Sequence, residues 1–256
     1  MLENKDEECS IKEKCLVKCD CGIMKKIQLR HLILGSSKCC NVCRKHKYII
    51  NTNFIENDSY EKYYFLGCMY SDGFVDKDRN RMVIVSKDKD WLECLRNLVC
   101  QEISIKETYN KYYNSTHYRL TFSDHIIHDW LIKNGCIYKK SLIVDYPPCL
   151  PDKFARDFFR GLVDGDGCIG VYNGRGVCKI STASEKFATL MFIKLKEFGF
   201  NPRFNEKINK KKTKIGRGII SPSGKKHTIS SDRNQWEIIF NGSHAEKFLK
   251  WIYYDE

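Results

Sequence analysis

One nine-residue pattern occurs twice and constrains everything around it. It reads Phe65-Leu66-Gly67-Cys68-Met69-Tyr70-Ser71-Asp72-Gly73, then Phe159-Arg160-Gly161-Leu162-Val163-Asp164-Gly165-Asp166-Gly167. Each copy is an apolar run with a small residue, a second small residue four positions on, and then Asp-Gly. Positions i and i+4 share one helix face. Gly67 with Ser71, and Gly161 with Gly165, therefore make two small-residue stripes that let helix backbones approach closely. The glycine after each aspartate is expected to end its helix in the left-handed region. If the two helices pack in the same direction, Asp72 and Asp166 meet at one end.

That meeting is locally unfavourable. A carboxylate in the last turn faces the negative end of the helix dipole, and two carboxylates side by side repel each other. A divalent cation such as Mg²⁺ or Mn²⁺ relieves both problems, because hard oxygen ligands and unpaired terminal carbonyls suit it. One Asp-Gly is ordinarily just a turn after a buried helix. Two, in matching surroundings, are better explained by shared chemistry.

The formal charge of +12 and a pI near 9.0 point to a polyanionic partner. The 256 residues suffice for one or two domains with an ample core. No apolar run is long enough to span a membrane, and Met1-Leu2-Glu3-Asn4-Lys5-Asp6-Glu7-Glu8 is no signal peptide. An intracellular protein is expected, in a compartment the sequence does not specify. Its fourteen cysteines are then thiols or metal ligands.

Seven of those cysteines fall within the first 43 residues, at 9, 15, 19, 21, 39, 40 and 43. Cys19-Asp20-Cys21-Gly22 and Cys40-Asn41-Val42-Cys43 give two pairs on tight turns. Cys19, Cys21, Cys40 and Cys43 can close a tetrahedral thiolate cage around a structural Zn²⁺, although Cys15 or Cys39 could replace a member. A segment this short needs metal to supply folding energy. Residues 1–48 are read as this zinc-ribbon-like module and 49–59 as a linker.

The remainder reads as two similar halves, 60–148 and 149–256. In the first, a helix capped by Asp58-Ser59 leads through Asp72-Gly73 into strands around 74–75 and 81–86, joined by a polar hairpin. A helix over 89–99 follows, then strands over 103–113 and 117–122 and a helix over 124–134 stopped by Gly135. In the second, helix 151–166 precedes strands 168–172 and 177–181 and a helix over 184–198 stopped by Gly199. Strands 202–208 and 235–240 and a helix over 243–253 complete it. Each half is αββαββα, so the class is α+β with a pseudo-twofold axis through the two leading helices. The second half carries a basic insert, with nine Lys or Arg against one Glu over residues 201–230. Lys210, Lys211, Lys212, Lys214, Arg217, Lys225 and Lys226 are candidates for tracking phosphates, with strongly salt-dependent binding; a solvated loop is the plainer alternative.

The doubled pattern, most closely Gly161-Leu162-Val163-Asp164-Gly165-Asp166-Gly167, resembles the paired motif of LAGLIDADG homing endonucleases. The likeness runs from about residue 60 to the end, and the first copy departs from it at Cys68-Met69-Tyr70-Ser71. The N-terminal segment resembles Cys-Asp-Cys-Gly zinc ribbons found beside homing nucleases. The resemblance implies saddle-shaped antiparallel sheets on double-stranded DNA and site-specific cleavage of both strands by a monomer. Asp72 and Asp166 would hold the metal, with the backbone carbonyls of Ser71 and Gly165 completing its shell. Gly135-Cys136-Ile137-Tyr138-Lys139-Lys140-Ser141 resembles a segment whose lysine reaches the active site, which nominates Lys140. The second half ends before an equivalent segment, so that lysine is either missing on one side or replaced by another such as Lys225. Outward strand positions would read base edges in the major groove, the candidates being Arg79, Arg81, Lys106, Lys111, Arg119, Arg175, Lys179 and Arg203. Two rivals share the fold: an RNA maturase acting on intron RNA, and a noncatalytic DNA-binding regulator. His125 and His128, three apart on one helix, also suit a helix surface and have no evident third metal ligand.

Overall fold

The computed structural model describes residues 12–19, 22–37, 49–111, 114–207, 219–220, 226–227 and 234–254. The chain divides into two compact units, 1–49 and 50–256.

In the first unit β1 (Lys14–Lys18) and β2 (Met24–Gln28) form an antiparallel hairpin, followed by the short helix α1 (Leu29–Ile33). The turn is tight. Cys19 N–H donates to the Ile23 carbonyl at 2.9 Å, and the Cys19 carbonyl accepts from Gly22 N–H at 2.7 Å. Gly22 sits at φ +88°, where a side chain would be strained. Ile27 is the one buried apolar residue among those described here, while Leu16, Met24, Ile33 and Leu34 stay exposed. Cys9, Cys21, Cys39, Cys40 and Cys43 lie outside the described residues. Among the described residues no three His, Cys, Asp or Glu gather as a metal cluster.

The second unit is built on two central helices. The stretch 49–59 is more ordered than a linker: it carries the short helix α2 (Asn53–Glu56), with Ile55 buried. Asn51 ties this stretch down, its N–H donating to the Val99 carbonyl at 2.8 Å and its side chain to the Leu98 carbonyl at 3.1 Å. Helix α3 (Tyr60–Ser71) starts at Ser59, whose hydroxyl accepts from Lys62 N–H. Its residues are buried on nearly every face, as befits a helix at the centre of a unit. Then come β3 (Gly73–Val75), β4 (Arg81–Ser86), α4 (Lys89–Val99), β5 (Lys106–Asn110), β6 (Ser115–Ser123) and α5 (His125–Lys133). β5 begins later than the sequence suggests, because Ile103 is buried in a turn with its N–H on the Cys100 carbonyl.

The second half repeats the order. A 3₁₀ turn at Asp152–Phe154 leads into α6 (Ala155–Asp166), then β7 (Gly167–Tyr172), β8 (Arg175–Thr182), α7 (Glu185–Glu197) and β9 (Arg203–Lys207). The insert contributes a short antiparallel pair, β10 (Ile219–Ile220) and β11 (Lys226–His227). Lys210, Lys211, Lys212, Lys214, Arg217 and Lys225 lie outside the described residues. β12 (Gln235–Asn241) and α8 (Ser243–Tyr253) close the chain. Both four-stranded sheets are antiparallel with matching topology, β3-β4-β6-β5 and β7-β8-β12-β9. Period-2 alternation sends Met82, Ile84, Leu120, Phe122, Cys178, Ile180, Ile238 and Phe240 to the core. The opposite faces carry polar and basic residues together with Phe74, Val83 and Val85 on the first sheet and Val177 and Ile239 on the second.

Helices α3 and α6 touch backbone to backbone. A Cβ on Gly67 would fall 2.2 Å from the Phe158 carbonyl oxygen, and one on Gly161 would fall 2.3 Å from that of Tyr64. The expected left-handed stops do not occur at the motif ends. Gly167 is extended, at φ −74° and ψ 159°, and Gly73 is not among the glycines of positive φ. Both are glycine for lack of room. A Cβ would meet the preceding turn, 2.6 Å from Met69 O at Gly73 and 2.4 Å from Val163 O at Gly167. Gly135 and Gly199 do adopt the left-handed conformation, at φ +86° and +80°.

Candidate active site

The packed helices bring their C-terminal ends together. Gly165 faces Ser71 across the seam, and a Cβ there would lie 2.0 Å from Ser71 Oγ and 3.5 Å from Asp72 Oδ2. Ser71 Oγ donates back into its own helix, to the carbonyls of Cys68 at 3.0 Å and Gly67 at 3.2 Å. Only glycine at 165 leaves the two ends this close.

Asp72 is half-buried and Asp166 opens further to solvent. Burial, reinforced by the charge of Asp166 and opposed by Lys140, pushes the Asp72 carboxyl up to about 6. Asp166 is also raised by its surroundings, against the same lysine. A depression of about 290 Å³ lies beside Asp166, lined by Ser71, Ser141, Ser181, Thr182 and Gln235 among others.

Lys140 is 8 % exposed and belongs to the 3₁₀ turn Lys140–Leu142. Its ammonium donates to the Gly73 carbonyl and, at 3.5 Å, to that of Ser71. It therefore neutralises the carbonyl-rich end of α3 while drawing both carboxylates down. The site is a triad of two acids and one base, with a formal charge of −1. The Ser71 carbonyl, nominated as a metal ligand, already has this ammonium as a neighbour. No lysine among the described residues makes the corresponding bond to α6.

The basic candidates divide by position. Lys106 and Arg119 are exposed and paired across β5 and β6, with Val85 next in the row. Arg203, Ile239 and Lys179 form the matching row on the second sheet. Arg175 is exposed at the start of β8, while Arg79 and Lys111 are exposed at hairpin ends. Arg81 is engaged by Asp76 at 2.6 Å. His128 turns inward and donates from Nε2 to the Asp76 carbonyl at 3.1 Å, so it does not pair with His125 as a metal site.

Two groupings escaped the sequence reading. Tyr64 donates to Asp164 at 2.8 Å and accepts from Trp91 Nε1 at 2.9 Å, while Tyr253 donates to the other Asp164 oxygen at 2.5 Å. This chain of bonds ties α8 and α4 to the central pair. The second grouping surrounds Glu237, which the alternation of β12 places on the outer face as a lone acid among basic residues.

Residues 153–253 match the family described as the LAGLIDADG-like domain. No curated protein matches the chain. Among solved structures it is similar to the N-terminal LAGLIDADG domain of DUF199/WhiA, at 14% identity and TM-score 0.45, over 79% of this chain and 84% of that one. It is also similar to the I-LtrWI LAGLIDADG homing endonuclease bound to target DNA, at 12% identity and TM-score 0.43, over 77% and 83%. A third is I-DmoI in complex with DNA and Mn, at 13% identity and TM-score 0.41, over 77% and 96%.

Proposed function

We propose that the chain is a site-specific DNA endonuclease that hydrolyses a phosphodiester in each strand at the junction of α3 and α6. The observation that carries this is the carboxylate pair, held together by a glycine seam at an electrostatic cost. Charges concentrated in this way mark functional sites more often than structural ones. The residues present fit a divalent cation: two hard oxygen donors, a net negative charge, and a backbone carbonyl at Gly165 uncovered by any Cβ. Asp72, Asp166 and the Gly165 carbonyl would hold the ion, and the Ser71 carbonyl keeps a second lone pair beside Lys140. When bound, such an ion activates water and stabilises charge on the leaving oxygen. Lys140 places a buried positive charge where a scissile phosphate would sit and opposes the upward shift of both aspartates. The outer sheet faces, with Lys106, Arg119, Lys179 and Arg203, would lie along the duplex as a saddle, phosphate contacts setting register and base contacts selecting sequence. In the N-terminal unit Cys19 and its knuckle-like turn suit one corner of a Zn²⁺ site completed by Cys21, Cys40 and Cys43.

A second reading is a DNA-binding protein of the same fold that does not cut. The buried ammonium favours it, since Lys140 already supplies a cation to the helix ends. Incubation with a randomised duplex library, with and without Mg²⁺, separates the two. A nuclease yields Mg²⁺-dependent double-strand ends that Asp72→Asn and Asp166→Asn abolish while binding persists. Retained cutting in either variant removes the mechanism, and binding without cutting by the parent chain supports the second reading.

A further inference from the structure

Glu237 is the one acidic residue in the middle of the outer face of the second sheet. It pairs with Ser181 on β8 and Asn205 on β9, and its side chain points away from the helices, yet it is only 4 % exposed. Its cover is made of lysines. Lys179 Nζ donates to Oε1 at 3.2 Å, Lys207 Nζ donates to the same oxygen at 3.1 Å, and Asn205 Nδ2 donates to Oε2 at 3.3 Å. Burial alone would push this carboxyl up, but the bonds from Lys207, Lys179 and Asn205 outweigh it and hold it below its usual range.

The two ammonium nitrogens thus lie within about 6 Å of one another. Left to themselves, two lysines at that separation would repel and swing apart into solvent. The carboxylate fixes both. Each ammonium gives one N–H to Glu237 and keeps two. The carboxylate also cancels one of the two charges, which weakens the pull toward phosphates that a free lysine pair would exert.

We infer that Glu237 is a positioning residue for sequence readout: it holds Lys179 and Lys207 as a fixed pair of donors to guanine O6 and N7 in the major groove. Lysine at those two acceptors is a standard base contact. The separation of the ammonium groups suits the same or neighbouring base pairs, which rise about 3.4 Å apart. The inference rests on the outer sheet faces being the DNA surface.

The test uses the full chain in Mg²⁺-free buffer, comparing wild type with Glu237→Gln. It measures binding to a random-sequence duplex across 50–200 mM salt and the base preferences recovered by selection from a randomised library. Freed lysines should bind random duplex more tightly. They should also enlarge the loss of affinity across that salt range by about threefold, one added phosphate contact. Guanine preference at one or two adjacent positions should fall. A purely structural ion pair would change thermal stability and leave slope and base preference alone, and that result overturns the inference. Should Glu237→Gln fail to fold, Glu237→Asp serves: it keeps the charge, so the salt slope should stay while guanine preference falls, and unchanged preference overturns the inference. If the wild type does not bind duplex, the DNA-surface reading fails and the inference with it; if it binds and the variants do not differ from it, the inference alone fails.

Discussion

Asp72→Asn should make the ion-free protein more stable at neutral pH, not less. The folded chain raises this carboxyl from 3.8 to about 6, chiefly through burial and then through Asp166. A carboxyl raised on folding is favoured in its protonated form. Its contribution to stability is complete below pH 3.8 and is lost as pH climbs through about 6. The shift corresponds to about 3 kcal/mol at pH 8, and solvent screening at this half-buried position reduces it to about 1.5–3 kcal/mol. Asparagine keeps the shape and removes the charge. Urea denaturation of both proteins in Mg²⁺-free buffer, from pH 4 to pH 8, should show curves that nearly coincide at the acid end. They should separate in favour of the variant through pH 5–7. Saturating Mg²⁺ at pH 8 should narrow the gap by stabilising wild type alone. A variant equally or less stable at pH 8, with no trend across the window, would refute the view that uncompensated charge is stored at this seam.

Gly161→Ala should cost more than about 3 kcal/mol in thermal or urea unfolding, because its Cβ would sit 2.3 Å from the Tyr64 carbonyl and the helices must separate. Gly170→Ala, where nothing lies within 4 Å, is the matched control and should change stability by less than about 1 kcal/mol. Lys140→Met leaves the Gly73 and Ser71 carbonyls without their donor and the two aspartates without their counter-charge. It should destabilise the chain by about 3 kcal/mol at pH 8 and by less at pH 5, read by the same denaturation series. Cys19→Ser should lower the zinc content of the purified protein measured by atomic emission; unchanged content excludes Cys19 as a ligand.

Much of this architecture is written in short-range signals. Ser59, Asp124 and Ser184 each cap a helix by accepting a backbone N–H three residues on, a bond between near neighbours that the residue type announces. The alternation of apolar residues around Leu120 and Ile238 is visible in the sequence, and both side chains are buried in the fold. Gly73 and Gly167 were legible as residues but not in their reason, since crowding against Met69 and Val163 depends on how tightly the chain turns into the next strand. Lys140 and Glu237 mark the limit. The lysine acquires its role from carbonyls nearly seventy residues away, and the carboxylate gets its cover from β8 and β9, on either side of β12. A family resemblance nominates Lys140 from its own segment, but neither its carbonyl partners nor the cover of Glu237 lies within a window of sequence.

The glycine seam has one more consequence. With backbone against backbone at Gly67 and Gly161, and only the small Ser71 side chain against Gly165, the gap separating the acidic tips is set by atomic radii more than by the choice of packing residue. A leucine zipper can drift by an ångström as its filling changes; a joint made of bare main chain has no such slack. Whatever spans those tips must meet a fixed gauge, and the surrounding sheets are free to diverge without disturbing it.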